Sequence, residues 1–348
     1  MFYQVDMDTR KVQRLGPSTL AMTLPAAWAR EQEVEKGDEV TVRESSKGTL
    51  TVTPESARGE ESEATVHVEK FDVDAVERAI IGQYVLGRRI IHVTAEDTLG
   101  SGHINAVYNA ETQLMGLGVI EETPDRITIR CSVDPEDFTL DNLLKRLEST
   151  GRTMRGEAIK ALAHGNDDLA RRAQNRERQE YKIFVLLLRL IFTAYQNPSL
   201  ARAVGLRDGF PLIAYRSVAK SLELTADNAE DIADIVCEAE EGTLDVDQAT
   251  MRRIREFNDQ VDELSQLGVE AVVERDYDTT LEARSLFDEI KDREGDILSD
   301  LPEMENDELL MVRDVLVALQ HTAEYAMRNV EIASNLALNE QSDYTTIV

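Results

Sequence analysis

The sequence predicts a multidomain protein with a short β-rich opening, an α/β middle and a mainly α second half. The chain has 348 residues, more than one compact core usually holds, and its hydrophobic content of 42% suffices for several. Apolar residues alternate in short runs as far as Cys131, then recur at helical spacing. The helical half also repeats itself. Offset by 97 residues, "LELTADNA" (Leu222–Ala229) lines up with "LQHTAEYA" (Leu319–Ala326), and Met154-Arg155 recurs at Met251-Arg252.

Residues 1–57 read as small β units. Strand patterns at Val12–Leu15, Leu20–Leu24 and Val40–Arg43 surround a short helix, "PAAWAREQ", whose Pro25 suits a first helical turn. Gly37-Asp38 supplies one turn, and "SSKGTLTVTP" another before a last alternating strand. So short a segment buries little alone, so pairing with a second copy through interlocked strands is expected. The polar stretch "ESARGEESEA", residues 55–64, reads as a linker.

Residues 65–132 read as a β-α-β-α-β unit. "TVHVE" alternates, Asp72 and Gly87 bracket an amphipathic helix, and "RRIIHV" is a strand. "INAVYNAETQLMGLG" is a second helix and "RITIRC" a closing strand. From "DPEDFTLDNLLKRL" onward helices dominate. A repeat of about 100 residues, with three helices in each copy, indicates two stacked bundles over residues 138–236 and 244–341.

Composition narrows the function classes. The most apolar run, "IFVLLLRLIFTAY" (Ile183–Tyr195), is broken by Arg189 and too short to span a bilayer, so it reads as a buried helix. The opening lacks the basic-then-apolar pattern of a signal peptide, so a cytoplasmic location is expected. Cys131 and Cys237, the only cysteines, sit in apolar patterns and read as buried thiols. The five histidines are scattered, with no metal-ligand or nucleophile–base spacing, and an enzyme is not expected. The formal net charge is −29, and only nine of the 38 basic residues are lysine. An acidic, lysine-poor surface suits molar salt, where self-repulsion is screened, and so suggests a halophilic setting.

Against that charge the opening is locally basic. Arg10, Lys11, Arg14 and Arg30 face only Asp6 and Asp8 before Glu31 begins the acidic trend. Phosphate contact needs Arg or Lys with small donors such as Ser18 and Thr19, while the arginine fork suits base edges. Over residues 8–54 the chain resembles the SpoVT/AbrB family of DNA-binding domains. A basic strand, a Gly-containing turn, "TLP" entering a helix with Trp28, and "EKGDEV" before paired strands stand in that family's order. The resemblance implies a swapped-hairpin β-barrel made by two chains, a homodimer whose basic strand and turn face DNA. It also implies Arg10, Lys11 and Arg14 as DNA contacts, with Ser18 a further one.

Over residues 138–340 the chain resembles PhoU, the regulator associated with phosphate uptake. "LIAYRSVAKSLELTADNAEDIAD" (Leu212–Asp234) and "LVALQHTAEYAMRNVEIA" (Leu316–Ala333) resemble the third helix of each PhoU repeat. The resemblance implies two PhoU-like three-helix bundles and a metal, iron or another divalent ion, on Glu/Asp-x-x-x-Asp motifs. Carboxylates at i and i+4 share a helix face, so two such helices can enclose a cation. Glu223 and Asp227 satisfy the motif in the first repeat, and the partner helix offers Glu177 with Tyr181 at the second carboxylate's place. In the second repeat Gln320 precedes Glu324, and Arg328, one turn on, is set to pair with Glu324. Asp288, Asp292 and Asp296, at i, i+4 and i+8, read as one solvated face.

Gly100-Ser101-Gly102 precedes a helix after the strand "RIIHV". Backbone N–H groups at such a start can hold phosphate or another anion, so these three residues are ligand candidates. Asn105 occupies the third glycine position of the dinucleotide fingerprint, and no Walker motif occurs. These readings predict a cytoplasmic, phosphate-responsive DNA-binding transcriptional regulator of phosphate uptake. The alternative is a PhoU-like interaction module acting on a phosphate transporter or sensor kinase, its N-terminal barrel only dimerising.

Overall fold

The computed structural model describes residues 9–44, 48–54, 62–206, 211–239, 246–339 and 343–346. The chain divides into two compact units, Met1–Ser62 and Glu63–Val348. In the first, β1 (Gln13–Arg14) pairs antiparallel with β2 (Leu20–Ala21), α1 (Ala26–Glu31) follows Pro25, and β3 (Val40–Glu44) pairs antiparallel with β4 (Leu50–Pro54). The first pair is shorter than the alternation suggests, because Gly16-Pro17-Ser18 bends the chain on one side and Pro25 starts a helix on the other. The Glu35 N–H donates to Asp38 Oδ2 at 2.7 Å, fixing the expected turn at Gly37-Asp38. Ser45–Lys47 and residues 55–61 of the linker lie outside the described residues. The described residues of this unit have almost no interior: Val12, Leu15, Leu20, Met22, Val42 and Leu50 are each more than half exposed.

The second unit begins with a four-stranded sheet of β5 (Glu63–His67), β6 (Ile90–Thr94), β7 (Leu117–Glu122) and β8 (Arg126–Cys131), in the order β5-β6-β8-β7. β5 and β6 are parallel, joined through α2 (Val73–Val85); the other pairs are antiparallel. α3 (Ser101–Gln113) packs beside α2. Eight further helices follow among the described residues: α4 (Leu140–His164), α5 (Asp167–Gln196), α6 (Pro198–Ala203), α7 (Pro211–Glu238), α8 (Gln248–Glu274), α9 (Tyr277–Ile290), α10 (Arg293–Ser299) and α11 (Asn306–Leu338).

Alternation set which sheet face is buried. Val66, Ile91, Val93, Ile127, Ile129 and Cys131 share a core with Val76, Ile80 and Tyr84 of α2 and Val107 and Ala110 of α3. Asp72 caps α2 by accepting from the Ala75 N–H at 2.7 Å, and Gly87 ends the helix at φ 91°. The second helix stops at Gln113 instead of continuing to Gly118. Gly116, at φ 71°, turns the chain, and a β carbon there would lie 2.7 Å from Val133 Cγ2. "LGVIEE" then forms β7 and hairpins onto β8, so the segment gains a strand that helical spacing had concealed.

Side chains of Thr139, Asn166, Asp247 and Asp276 cap α4, α5, α8 and α9. α4, α5 and α7 pack on one another, as do α8, α9 and α11, and α7 also packs on α11. "IFVLLLRLIFTAY" is a buried stretch of α5, as its composition suggests. Among the described residues no helix is long and apolar enough to cross a membrane. Cys131 is buried, whereas Cys237 is half-buried.

One sequence equivalence does not hold. Arg155 is buried in mid-α4 and forms an ion pair with Asp262 of α8, but Arg252 is exposed in the first turn of α8. The better landmarks are the left-handed residues that close α4 and α8, Gly165 (φ 55°) and Arg275 (φ 54°). Asp288, Asp292 and Asp296 are exposed, as expected of solvated carboxylates, but they do not share one helix, because α9 ends before α10 begins and Asp292 occupies the cap position of α10.

Candidate functional site

Arg10, Lys11, Arg14 and Ser18 are all exposed in the first unit. Arg14 Nη1 donates to the Pro17 carbonyl at 3.1 Å, and the Leu15 N–H donates to the Thr19 carbonyl at 3.0 Å. Arg14 and Ser18 are thereby held on one tight hairpin, with Arg10 and Lys11 on the segment leading into it. Exposed guanidinium and hydroxyl groups so arranged can meet a phosphate or a base edge.

In the second unit, α5 and α7 bring Glu177, Glu180 and Tyr181 towards Lys220, Glu223 and Asp227. Glu180 is only 1% exposed, and its Oε1 finds no hydrogen-bond partner among the described residues. Burial, followed by the charges of Glu223, Asp227 and Glu177, pushes its pKa up to about 9, so it is protonated at neutral pH. Asp227 opens to solvent at the rim but is partly desolvated between the helices. That desolvation first, and Glu223 next, push it up to about 6. Glu230 is pushed up to about 7 by burial and then by Glu177. Burial likewise raises Glu177.

The cluster carries its own cation. Lys220 Nζ donates to Glu223 Oε2 and lies 5.8 Å from the centroid of the Phe184 ring. Among the described residues no group of three or more His, Cys, Asp or Glu side chains is arranged to hold a metal ion. The orphaned oxygen of Glu180 could serve as one ligand. With the Lys220 ammonium group already on Glu223, the arrangement does not fit a metal ion.

Glu177, Glu223 and Asp227 thus lie together, while Glu180 escaped the sequence reading. Its signal was a glutamate on the stripe of buried residues formed by Ala173, Phe184 and Leu187. In the second repeat, the Arg328 guanidinium lies 5.0 Å from the Tyr325 ring centroid and is not paired with Glu324 as expected. Gln320 leaves a buried Oε1 without a partner among the described residues.

Gly100 is the cap residue of α3 and contributes no side-chain hydrogen bond. At Gly102 a β carbon would lie 3.1 Å from Val73 Cγ2, so this glycine lets α3 approach the start of α2. Ser101 begins the helix between them.

Residues 13–60 match the family model described as antidote-toxin recognition MazE, bacterial antitoxin, and residues 144–236 match the PhoU domain. Both are regulatory rather than enzymatic families. No curated protein matches the sequence. Among solved structures, PhoU from Pseudomonas aeruginosa is similar at 17% identity and a TM-score of 0.47, covering 58% of this chain and 96% of its own. The chain therefore joins a segment similar to MazE/AbrB-type antitoxin domains to a helical segment similar to the PhoU domain.

Proposed function

We propose that this chain is a cytoplasmic, phosphate-responsive regulator of transcription that binds DNA through a strand-swapped N-terminal dimer and controls phosphate uptake. One observation carries the reading: an exposed basic turn sits on a segment whose apolar strand residues have no interior of their own. Leu15 and Leu20 are 72% and 63% exposed, beside Arg14 and Ser18. A second copy interlocking its hairpins would bury those side chains in a common barrel and put two basic turns on one molecule. Two-fold pairing favours a pseudo-palindromic site.

The PhoU-like half, read as two three-helix bundles over 138–236 and 244–341, would receive the phosphate signal from a transporter or sensor kinase. With the α/β segment over 65–132, it would transmit that signal to the spacing of the DNA-contacting edges. The net charge of −29 supports a halophilic setting, where counterion release gives little drive and base edges and groove shape must carry affinity. Footprinting on the protein's own promoter and on phosphate-transport promoters in high potassium tests this. Protection by the wild type that is lost in Arg10→Ala/Arg14→Ala is expected. Absence of protection throughout would leave the interaction-module reading, with a barrel that only dimerises.

A further inference from the structure

A cavity of about 670 Å³ lies between the α/β segment and the helical half, where Asn109, Thr112 and Gln113 of α3 face Arg178, Tyr181 and Lys182 of α5. Its walls differ in chemistry. Several cations of the helical half are held by carboxylates. Arg172 and Arg176 both bind Glu157, Lys145 pairs with Glu274, and Lys220 pairs with Glu223. Arg178 and Lys182, one turn apart on α5, make no hydrogen bond or ion pair among the described residues, and both line this cavity.

The opposite wall is committed differently. Glu77 of α2 accepts from Asn109 Nδ2 at 3.3 Å and from Gln113 Nε2 at 2.6 Å. The Thr112 hydroxyl donates to the Asn109 carbonyl at 2.8 Å. These bonds use donors and leave Asn109 Oδ1, Gln113 Oε1 and the Thr112 lone pairs as acceptors. The cavity thus offers the cations Arg178 and Lys182, with the Glu177 carboxylate beside Arg178, on one side and acceptors on the other. Its size falls within the roughly 300–1,000 Å³ common for small-molecule sites.

We propose that this cavity binds a small organic phosphate bearing N–H or O–H donors, a nucleoside monophosphate being the type. The phosphoryl group meets Arg178 and Lys182, and the base and sugar donors meet the acceptors of α3. Inorganic phosphate satisfies the cations alone and leaves the α3 wall to water. Glu177, also on the cavity wall, belongs to the carboxylate cluster of α5 and α7, so an occupant touches both halves of the unit. The site stands independently of the DNA-binding reading.

The test is calorimetric titration of the full chain with AMP, GMP, CMP and UMP, with adenosine and inorganic phosphate as partial ligands, at constant potassium chloride. At least one monophosphate is expected to bind stoichiometrically, with adenosine and inorganic phosphate each about tenfold weaker or worse. Arg178→Ala, at an exposed position, and Arg178→Ala/Lys182→Ala are expected to weaken that monophosphate about tenfold or more while their unliganded melting temperatures stay near wild type. No heat with any monophosphate overturns the proposal. So does binding unchanged in the double variant, or inorganic phosphate binding as tightly as the monophosphate.

Discussion

The guanidinium of Arg189 lies 4.8 Å from the centroid of the Tyr84 ring and donates to the Tyr84 carbonyl. It also donates to the Arg88 carbonyl at 3.0 Å and the Gly87 carbonyl at 3.2 Å. The arginine that interrupts the apolar run of α5 thus supplies the donors that the last turn of α2 lacks, and it ties the helical half to the α/β segment. Tyr84 completes the joint by donating its hydroxyl to the Met115 carbonyl at 2.9 Å. Arg189→Met keeps most of the volume but strands these buried carbonyls, and is expected to cost about 2–4 kcal/mol in urea denaturation of the full chain. Arg189→Lys is expected to recover only part, because a point charge cannot reproduce the planar fork.

Local pattern made much of this fold legible. Alternation located most of the sheet strands, and Asp72 marked the start of α2, because those signals depend on near neighbours. The misreadings share a cause. "LMGLGVIEE" continues the apolar spacing of α3, and only the contact of Gly116 with Val133 makes it a turn and a strand. The buried arginines Arg155 and Arg189 have partners about 100 residues away, which no window of sequence exposes. In the carboxylate cluster the motif named Glu223 and Asp227. The burial of Glu180 follows from α5 packing on α7, whereas the Lys220–Glu223 pair lay at a readable spacing of three residues.

The cluster makes stability depend on pH in a definite direction. Glu180 releases its proton near 4.5 when unfolded but only near 9 when folded, so between those values the folded state holds the extra proton. Stability is therefore full below about pH 4.5 as far as this group is concerned, and falls as pH rises towards 9. Burial acts on Asp227 and Glu230 in the same direction, with folded values of about 6 and 7. From about pH 5 to pH 8 the Glu180 contribution is on the order of 4 kcal/mol. Glu180→Gln keeps a neutral side chain of the same shape, so its melting temperature is expected to vary less over this range and to exceed wild type at the alkaline end.

Lys220 sets the cation preference of the same cluster. Its ammonium group rests on Glu223, so manganese or zinc added to the wild type is expected to leave the melting temperature unchanged, as is treatment with a chelator. Lys220→Ala removes the tethered charge from among Glu177, Glu223 and Asp227. In that variant added divalent cation is expected to raise the melting temperature and to bind measurably in calorimetry. Stoichiometric metal in the wild-type protein by elemental analysis would overturn this account of Lys220.

Exposed leucines and arginines share the N-terminal hairpin, and their roles separate by experiment. Leu20 is 63% exposed and pairs through the backbone with Arg14, so the two side chains leave adjacent positions of one ladder. Burying a leucine contributes about 1.5–3 kcal/mol, and in the proposed two-fold dimer each substitution acts twice. Leu15→Asp/Leu20→Asp is therefore expected to shift the solution mass from dimer to monomer by light scattering in high potassium chloride. Arg14→Ala is expected to keep the dimer and lose promoter protection. If Arg14→Ala dissociated the dimer instead, its guanidinium would belong to the subunit contact, and DNA would have to be met by Arg10 and Lys11 alone. Arg10, Lys11 and Arg14 make a small patch on a molecule of charge −29, so the loss of one should be visible in protection.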